Sequence, residues 1–290
     1  MNTTMAEDPD PALEARVAAL RKLSSNDVVP AIHEIMGLCA AGAEVKLTRQ
    51  VLGAGRLVGY TKDVRLRFEP PEDGSSRVHE AAIVFGATAA SVPAATWRGR
   101  HIVELGCGMG FAGVLLSALG GRVVLTDVAE VESLATNGIA LNAPIIRSPG
   151  SASFCACDWR RPRANPRACS ALREANIVVA TEPVEDLQSQ EQFLAMVHAM
   201  LGMDGEPPIC MALEQLIVVH KHQQSYCISG YVAPIPGAPP SITDVEEVEK
   251  CLFRRALEDA GLAISRWQHA PVGFEHPFVE LWSLKPRPAT

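Results

Sequence analysis

The chain has no pair of cysteines at CxxC spacing, no run of about 18 apolar residues, and no G-x-S-x-G turn. The first absence argues against a metal ribbon or a disulfide scaffold; its eight cysteines are scattered and read as reduced, mostly buried thiols. The second leaves no expected membrane span. The third removes the starting point for Ser-His-Asp chemistry on an α/β sheet. The opening MNTTMAEDPDPALEARV is acidic and polar, without a basic region or an apolar core, so no signal peptide is expected. Basic residues are also in deficit. A net charge of −7 argues against general affinity for nucleic acid or anionic membranes. With 48% hydrophobic and 20% charged residues over 290 positions, the composition is that of a soluble globular chain able to bury its own core.

Read along its length, the chain changes character near Val78. Residues 1–10 read as disordered. Leu13, Val17, Leu20 and Leu23 recur at helical spacing, as do Ile32, Ile35, Met36 and Cys39, and Val45–Leu52 with Gly55–Phe68 reads as a hairpin or small meander. Residues 1–77 are therefore assigned to an N-terminal helical and hairpin extension, and 78–290 to an α/β domain. In the latter, helices over His79–Ala90, Phe111–Leu119, Glu130–Leu141, Leu187–Leu201 and Asp244–Ala260 alternate with strands. The strands are expected at Arg100–Leu105, Arg122–Thr126, Ser153–Ala156, Asn176–Ala180 and Pro208–Leu213. This alternation predicts a mostly parallel, Rossmann-like sheet with helices on both faces. The last strands, Ala263–His269 and Phe278–Leu284, have only a short loop between them, so the final strand is expected to run antiparallel.

The chemistry concentrates in HIVELGCGMGFAGVLLSALGGRVVLTDV. An apolar strand ends at Glu104; Gly106, Cys107, Gly108 and Gly110 then form a turn whose glycines let backbone approach a ligand, and the following helix aims its N-terminal amides there. The second strand ends in Asp127, an acceptor suited to ribose hydroxyls. Gly108, Gly110 and Gly113 also spell the dinucleotide pattern G-x-G-x-x-G. Two features favour adenosylmethionine instead. The glycine run begins earlier, as E-L-G-x-G-x-G with an acid at the strand's end, which suits an ammonium rather than a pyrophosphate. Asp158-Trp159, past the third strand, then offers an acceptor for an adenine amino group beside an apolar flank.

These segments resemble the non-SET protein methyltransferases grouped as lysine methyltransferase family 16. Val78–Phe85 is similar to their V-W-D-A-A-x-x-L helix, VELGCGMGFAG to their L-E-L-G-x-G-T-G-x-x-G, and Leu125–Asp127 to their ribose-binding strand. Asn137 and Asn142 match the asparagines of the next helix, Asp158-Trp159 the D-W pair, and Asn176–Glu182 the strand before D-x-x-Y. The resemblance covers roughly residues 78–284. It implies a seven-strand class I sheet, S-adenosyl-L-methionine as cofactor, and methylation of a protein lysine. Cofactor contacts are then expected from His79, Glu104, Gly106, Cys107, Gly108, Gly110, Asp127, Asp158, Trp159 and Thr181.

Three positions depart from the family pattern: His79 replaces its tryptophan, Met109 its threonine, and Glu182-Pro183-Val184-Glu185 its D-x-x-Y. Thr181-Glu182 is similar to the S-E-T start of a related histidine-methylating branch. Glu182 and Glu185 are the catalytic candidates, placed beyond the fourth sheet strand to hold the acceptor nitrogen. A free lysine, with a pKa of about 10.4, must lose a proton before it can attack, whereas a histidine near 6.5 is mostly ready. A small-molecule methyltransferase and a non-catalytic relative of the same fold stand as alternative readings. A monomer in the cytoplasm or nucleus, with a protein substrate, no membrane and no nucleic-acid partner, is expected. The arginines between Arg160 and Arg173 read as a solvated loop or an acidic partner's dock. His220, His222 and Cys227 lack a second pair at ligand spacing, so no metal site is assigned.

Overall fold

In the computed structural model the described residues are 44–49, 52–53, 56–57, 62–69, 78–184, 187–221, 253–268, 270 and 279–287. The expected disordered start, both expected N-terminal helices, the loop at Pro234–Pro240, His222, Cys227 and Glu185 lie outside them.

Strand β1 (Glu44–Arg49) pairs antiparallel with β4 (Lys62–Arg67), enclosing the short pair β2 (Leu52–Gly53) and β3 (Arg56–Leu57). Val64, Leu66 and Phe68 are buried while the residues between them are exposed, the two-residue period of a strand with one wet face. Helix α1 (Glu80–Ser91) follows and is buried from Ala81 to Ala90, as its almost wholly apolar sequence requires.

The elements that follow are β5 (His101–Leu105), α2 (Phe111–Ala118), β6 (Arg122–Asp127), α3 (Glu132–Asn142), β7 (Ser151–Ala156), α4 (Pro166–Glu174), β8 (Ile177–Thr181), α5 (Leu187–Leu201) and β9 (Gln215–Lys221). A helical stretch at 253–259, α6, then leads to β10 (Leu262–Arg266) and β11 (Val279–Pro286). The large sheet runs β10-β11-β9-β8-β5-β6-β7. Its pairings are parallel from β9 to β7, while β11 is antiparallel to both of its neighbours. The reversed strand is thus last in sequence but sits inside the sheet, and this order is that of the Rossmann-like seven-strand class I fold. Successive sheet residues bury opposite faces. Ile177 and Val179 join the side packed by α1 and α2, whereas Val178 and Ala180 join the side packed by α4, α5 and α6.

Two expectations are corrected. The strand placed over Pro208–Leu213 lies instead at Gln215–Lys221, where Leu216 to His220 form a continuous buried run, as in a strand covered on both faces. The Arg- and Pro-rich stretch is not all loop. Pro166 opens α4, the side-chain oxygen of Asn165 accepts from the amides of Arg167 and Ala168, and Ala168 and Leu172 bury one face.

Strand β4 shares the core of the sheet, since Val64, Leu66 and the following Phe68 belong to the same apolar cluster as α1 and α2. Asn142 fastens it. Its Oδ1 accepts from the Arg67 amide at 2.8 Å, and its Nδ2 donates to the carbonyls of Arg67 and Gly138 at 2.7 and 2.8 Å. Among the described residues no helix is long and apolar enough to cross a membrane.

Candidate active site

Strand order reverses direction between β5 and β8, and the carboxyl ends of these strands open a crevice there, the place where open α/β sheets take ligands. The loop after β5 forms one wall. Gly106, Gly108 and Gly110 have φ of 70°, 49° and 80°, values that side-chain-bearing residues seldom adopt. The amides of Gly106 and Cys107 donate to the Thr126 carbonyl at 2.9 and 3.0 Å, and the Thr126 hydroxyl donates to the Glu104 carbonyl at 2.6 Å.

Two carboxylates hold this loop from opposite ends. Asp127 accepts the Gly108 amide on Oδ2 and the Val128 amide on Oδ1, both at 2.8 Å. Glu104 accepts the Gly113 amide on Oε2 at 2.9 Å, tying the strand end to the first turn of α2. Glu104 is buried, and burial pushes its carboxyl up to about 8 despite the Gly113 amide, with Asp127 adding to the rise. Burial also raises Asp127, although the amides of Gly108 and Val128 oppose the shift. The Cys107 thiol is driven well above its ordinary range by burial and by these two acids, so it stays protonated.

The glycines divide the work. A Cβ on Gly108, which lines the crevice, would meet nothing within 4 Å. A Cβ on Gly110 would lie 2.5 Å from Leu125 Cδ2, and one on Gly113 would run into Glu104 Oε2. Gly108 therefore keeps space for a ligand, whereas Gly110 and Gly113 let α2 close onto the sheet.

The crevice has a volume of about 290 Å³. Glu104, Gly106, Cys107, Gly108 and Asp127 line one side, and Trp159 covers Gly106, its ring 3.0 Å from where a Cβ would stand. Trp159 also packs edge-on against Phe193 of α5, with centroids 5.5 Å apart. Thr181 and Glu182 at the end of β8, together with His79 at the start of α1, form the opposite side. The sequence reading missed Ala82, Phe111 and Ser189 as lining residues. Phe111, the first helical residue after the glycine turn, could have been inferred; Ser189 in the first turn of α5 had no signal. Gly110 lines no part of this crevice.

Asp158 faces a neighbouring hollow of about 340 Å³, shared with Val128, Glu130 and Asn165. Successive residues separate the two spaces, Asp127 from Val128 and Trp159 from Asp158. The Arg160 guanidinium grips Asp158 through Nε to Oδ1 and Nη2 to Oδ2, each at 2.8 Å, and holds its carboxyl below the ordinary range. Arg163 pairs in the same way with Asp204, two contacts of 2.9 Å. Three of the clustered arginines are thus engaged with acids of this chain, since Arg161 also reaches Asp158 at 3.7 Å.

Glu182 differs from every other described residue that carries a side chain. It alone has a positive φ, 54°, and its amide donates to the Val219 carbonyl at 2.7 Å. Its side chain is 8% exposed, and Oε2 lies 3.8 Å from Nδ1 of His79.

The sequence model of a family described as lysine methyltransferase matches residues 63–228, more than half of the chain. The chain is 35% identical over 63 residues to EEF1A lysine methyltransferase 3 of Xenopus tropicalis, a match covering 22% of this chain and 27% of that relative's length. Among solved structures it is similar to the Thermus thermophilus 16S rRNA N2 G1207 methyltransferase, at 14% identity and a TM-score of 0.45, over 84% of this chain and 51% of that one. It is also similar to magnesium protoporphyrin IX methyltransferase from Synechocystis, at 15% identity and a TM-score of 0.41, over 71% and 80% of the two chains.

Proposed function

This chain belongs to the lysine methyltransferase family, and from that premise we propose that it transfers a methyl group from S-adenosylmethionine to a side-chain nitrogen of a protein, a lysine or a histidine. The observation that carries the reading is one crevice with a cofactor-type wall and an acid-bearing wall. The glycine loop and Asp127 stand on one side, and Glu182 on the other.

The residues present fit the donor. The open space facing Gly108 admits a ligand against backbone. Asp127 retains lone pairs for ribose hydroxyls beyond those taken by two amides, and Glu104 places a buried acid near the loop for an ammonium. Among the described residues the buried Trp159 indole Nε1 has no acceptor, and Trp159 lines the crevice. Gly106 and Cys107 supply backbone, and Thr181 the opposite rim. Asp158, in the adjoining hollow, is the proposed partner of the adenine amino group, which would share its oxygens with Arg160. Bound there, S-adenosylmethionine would supply an electrophilic methyl group already activated by its sulfonium.

For the protein, the remaining task is to align a neutral nitrogen and exclude water. Glu182 is proposed to act on the acceptor side. Glu185, three residues on, is the second candidate by sequence. A monomer acting in the cytoplasm or nucleus completes the reading.

The test is transfer of labelled methyl groups from S-adenosylmethionine into total cell protein, with purified elongation factor 1A as a separate acceptor because of the relative's name. Label in discrete protein bands supports the proposal. Label confined to small molecules would replace it with a small-molecule methyltransferase. No label, together with no calorimetric binding of the cofactor, would mark a non-catalytic relative.

A further inference from the structure

We infer that His79 is the group that takes the proton from the methyl acceptor, with Glu182 holding its imidazole in place; this rests on the protein-methyltransferase reading above. His79 stands at the N-cap of α1, where a side chain ordinarily caps the helix, yet it makes no capping hydrogen bond. It faces the crevice instead, with Nδ1 3.8 Å from Oε2 of Glu182. The two ends of this pair have opposite environments. The carboxylate is nearly enclosed at 8% exposure, while the imidazole is 42% exposed.

That asymmetry suits a proton acceptor. A carboxylate fixed behind Nδ1 selects the tautomer with its proton on that atom and leaves Nε2 as the base, then steadies the imidazolium that forms. The exposed side lets the proton leave to water. Glu182 is fixed at some cost: φ of 54° on a residue with a Cβ persists because the backbone is pinned to Val219. Strain at a residue whose carboxylate faces His79 points to a positioning task.

The step balances simply. An N–H bond of the substrate ammonium breaks and its electron pair stays on nitrogen. The proton joins Nε2 of His79 and passes to solvent. The separation of 3.8 Å is that of a charge contact, longer than a hydrogen bond. The N-terminus of α1 disfavours a cation at this place, and the facing carboxylate opposes that effect. Because His79 sits where the family carries a tryptophan, the arrangement belongs to this chain's own departures from the pattern.

The experiment compares wild type, His79→Ala, His79→Asn and Glu182→Gln. It measures labelled-methyl incorporation into total lysate protein and, separately, calorimetric binding of S-adenosylmethionine. His79→Asn places a favoured capping residue at the start of α1, which offsets the risk of unfolding in that variant. Both His79 variants should lose about 10²–10⁴-fold in rate at saturating cofactor, with the dissociation constant moving less than about threefold. Added imidazole should recover rate in His79→Ala and not in Glu182→Gln, and the double variant should lose little beyond His79→Ala alone. By NMR, the imidazole resonance that disappears in His79→Asn should shift in Glu182→Gln. A rate within about threefold of wild type, a loss without imidazole recovery, or an unmoved resonance would overturn the assignment. Absence of transfer by wild type would overturn both this inference and the reading beneath it. Transfer by wild type with indifferent His79 variants would overturn this inference alone.

Discussion

The Gly108 amide donates to Oδ2 of Asp127 across 2.8 Å, so the acid that ends β6 shapes the loop that ends β5. One side chain thereby serves the loop and the proposed ribose contact. Asp127→Ala should weaken S-adenosylmethionine by roughly 1.5–3 kcal/mol, about 10- to 150-fold in dissociation constant, the scale of hydrogen bonds to a charged group. Calorimetric titration measures this. An unchanged constant would remove Asp127 from the site.

Glu104 sets a pH dependence of stability. Its carboxyl rises from an ordinary 4.5 to about 8 in the folded chain because burial disfavours the charge. The native state therefore holds this proton where the unfolded chain has released it. The stabilisation is complete below about 4.5 and is lost as pH climbs through about 8, at no more than about 1.4 kcal/mol per pH unit. Urea midpoints measured between pH 5.5 and 8 should fall for wild type and fall less for Glu104→Gln. The amide of that variant still offers an oxygen to Gly113 and cannot ionise. Equal slopes would show that Glu104 does not govern the change.

Asn142→Ala should cost about 2–3 kcal/mol, since it strips partners from the Arg67 amide and carbonyl, where β4 joins the sheet domain. Urea unfolding reads the loss directly. A change under about 0.5 kcal/mol would mean that water replaces the clamp without penalty.

Local chemistry explains which parts of this architecture could be read beforehand. The glycine turn, the acid at Asp127 and the span of α5 are written in neighbouring residues, and each stands where it was expected. Helix α4 was obscured because five arginines between 160 and 173 resemble a solvated loop. Its start was nonetheless signalled by Asn165 before Pro166, a cap followed by a proline whose missing amide costs nothing at that position. The β9 error had another source. Ile209, Cys210 and Leu213 look strand-like, but Pro207 and Pro208 precede them and Met211 is 74% exposed, whereas the covered run begins at Leu216. Contacts between distant residues left no local trace at all. The Asn142 clamp on β4, the Arg163 pairing with Asp204 and the approach of His79 to Glu182 each depend on the assembled fold.

Whether the crevice between the ends of β5 and β8 holds the methyl donor is decided at Gly108. Wild type and Gly108→Val should be titrated calorimetrically with S-adenosylmethionine, with circular dichroism to compare their folds. A Cβ at this position meets no protein atom within 4 Å, so the positive φ is the main cost to the free protein, and circular dichroism reports whether the fold survives it. Saturable binding by wild type and none by a folded Gly108→Val is expected. Equal binding by both proteins would contradict it, because the ligand could not then lie against this loop.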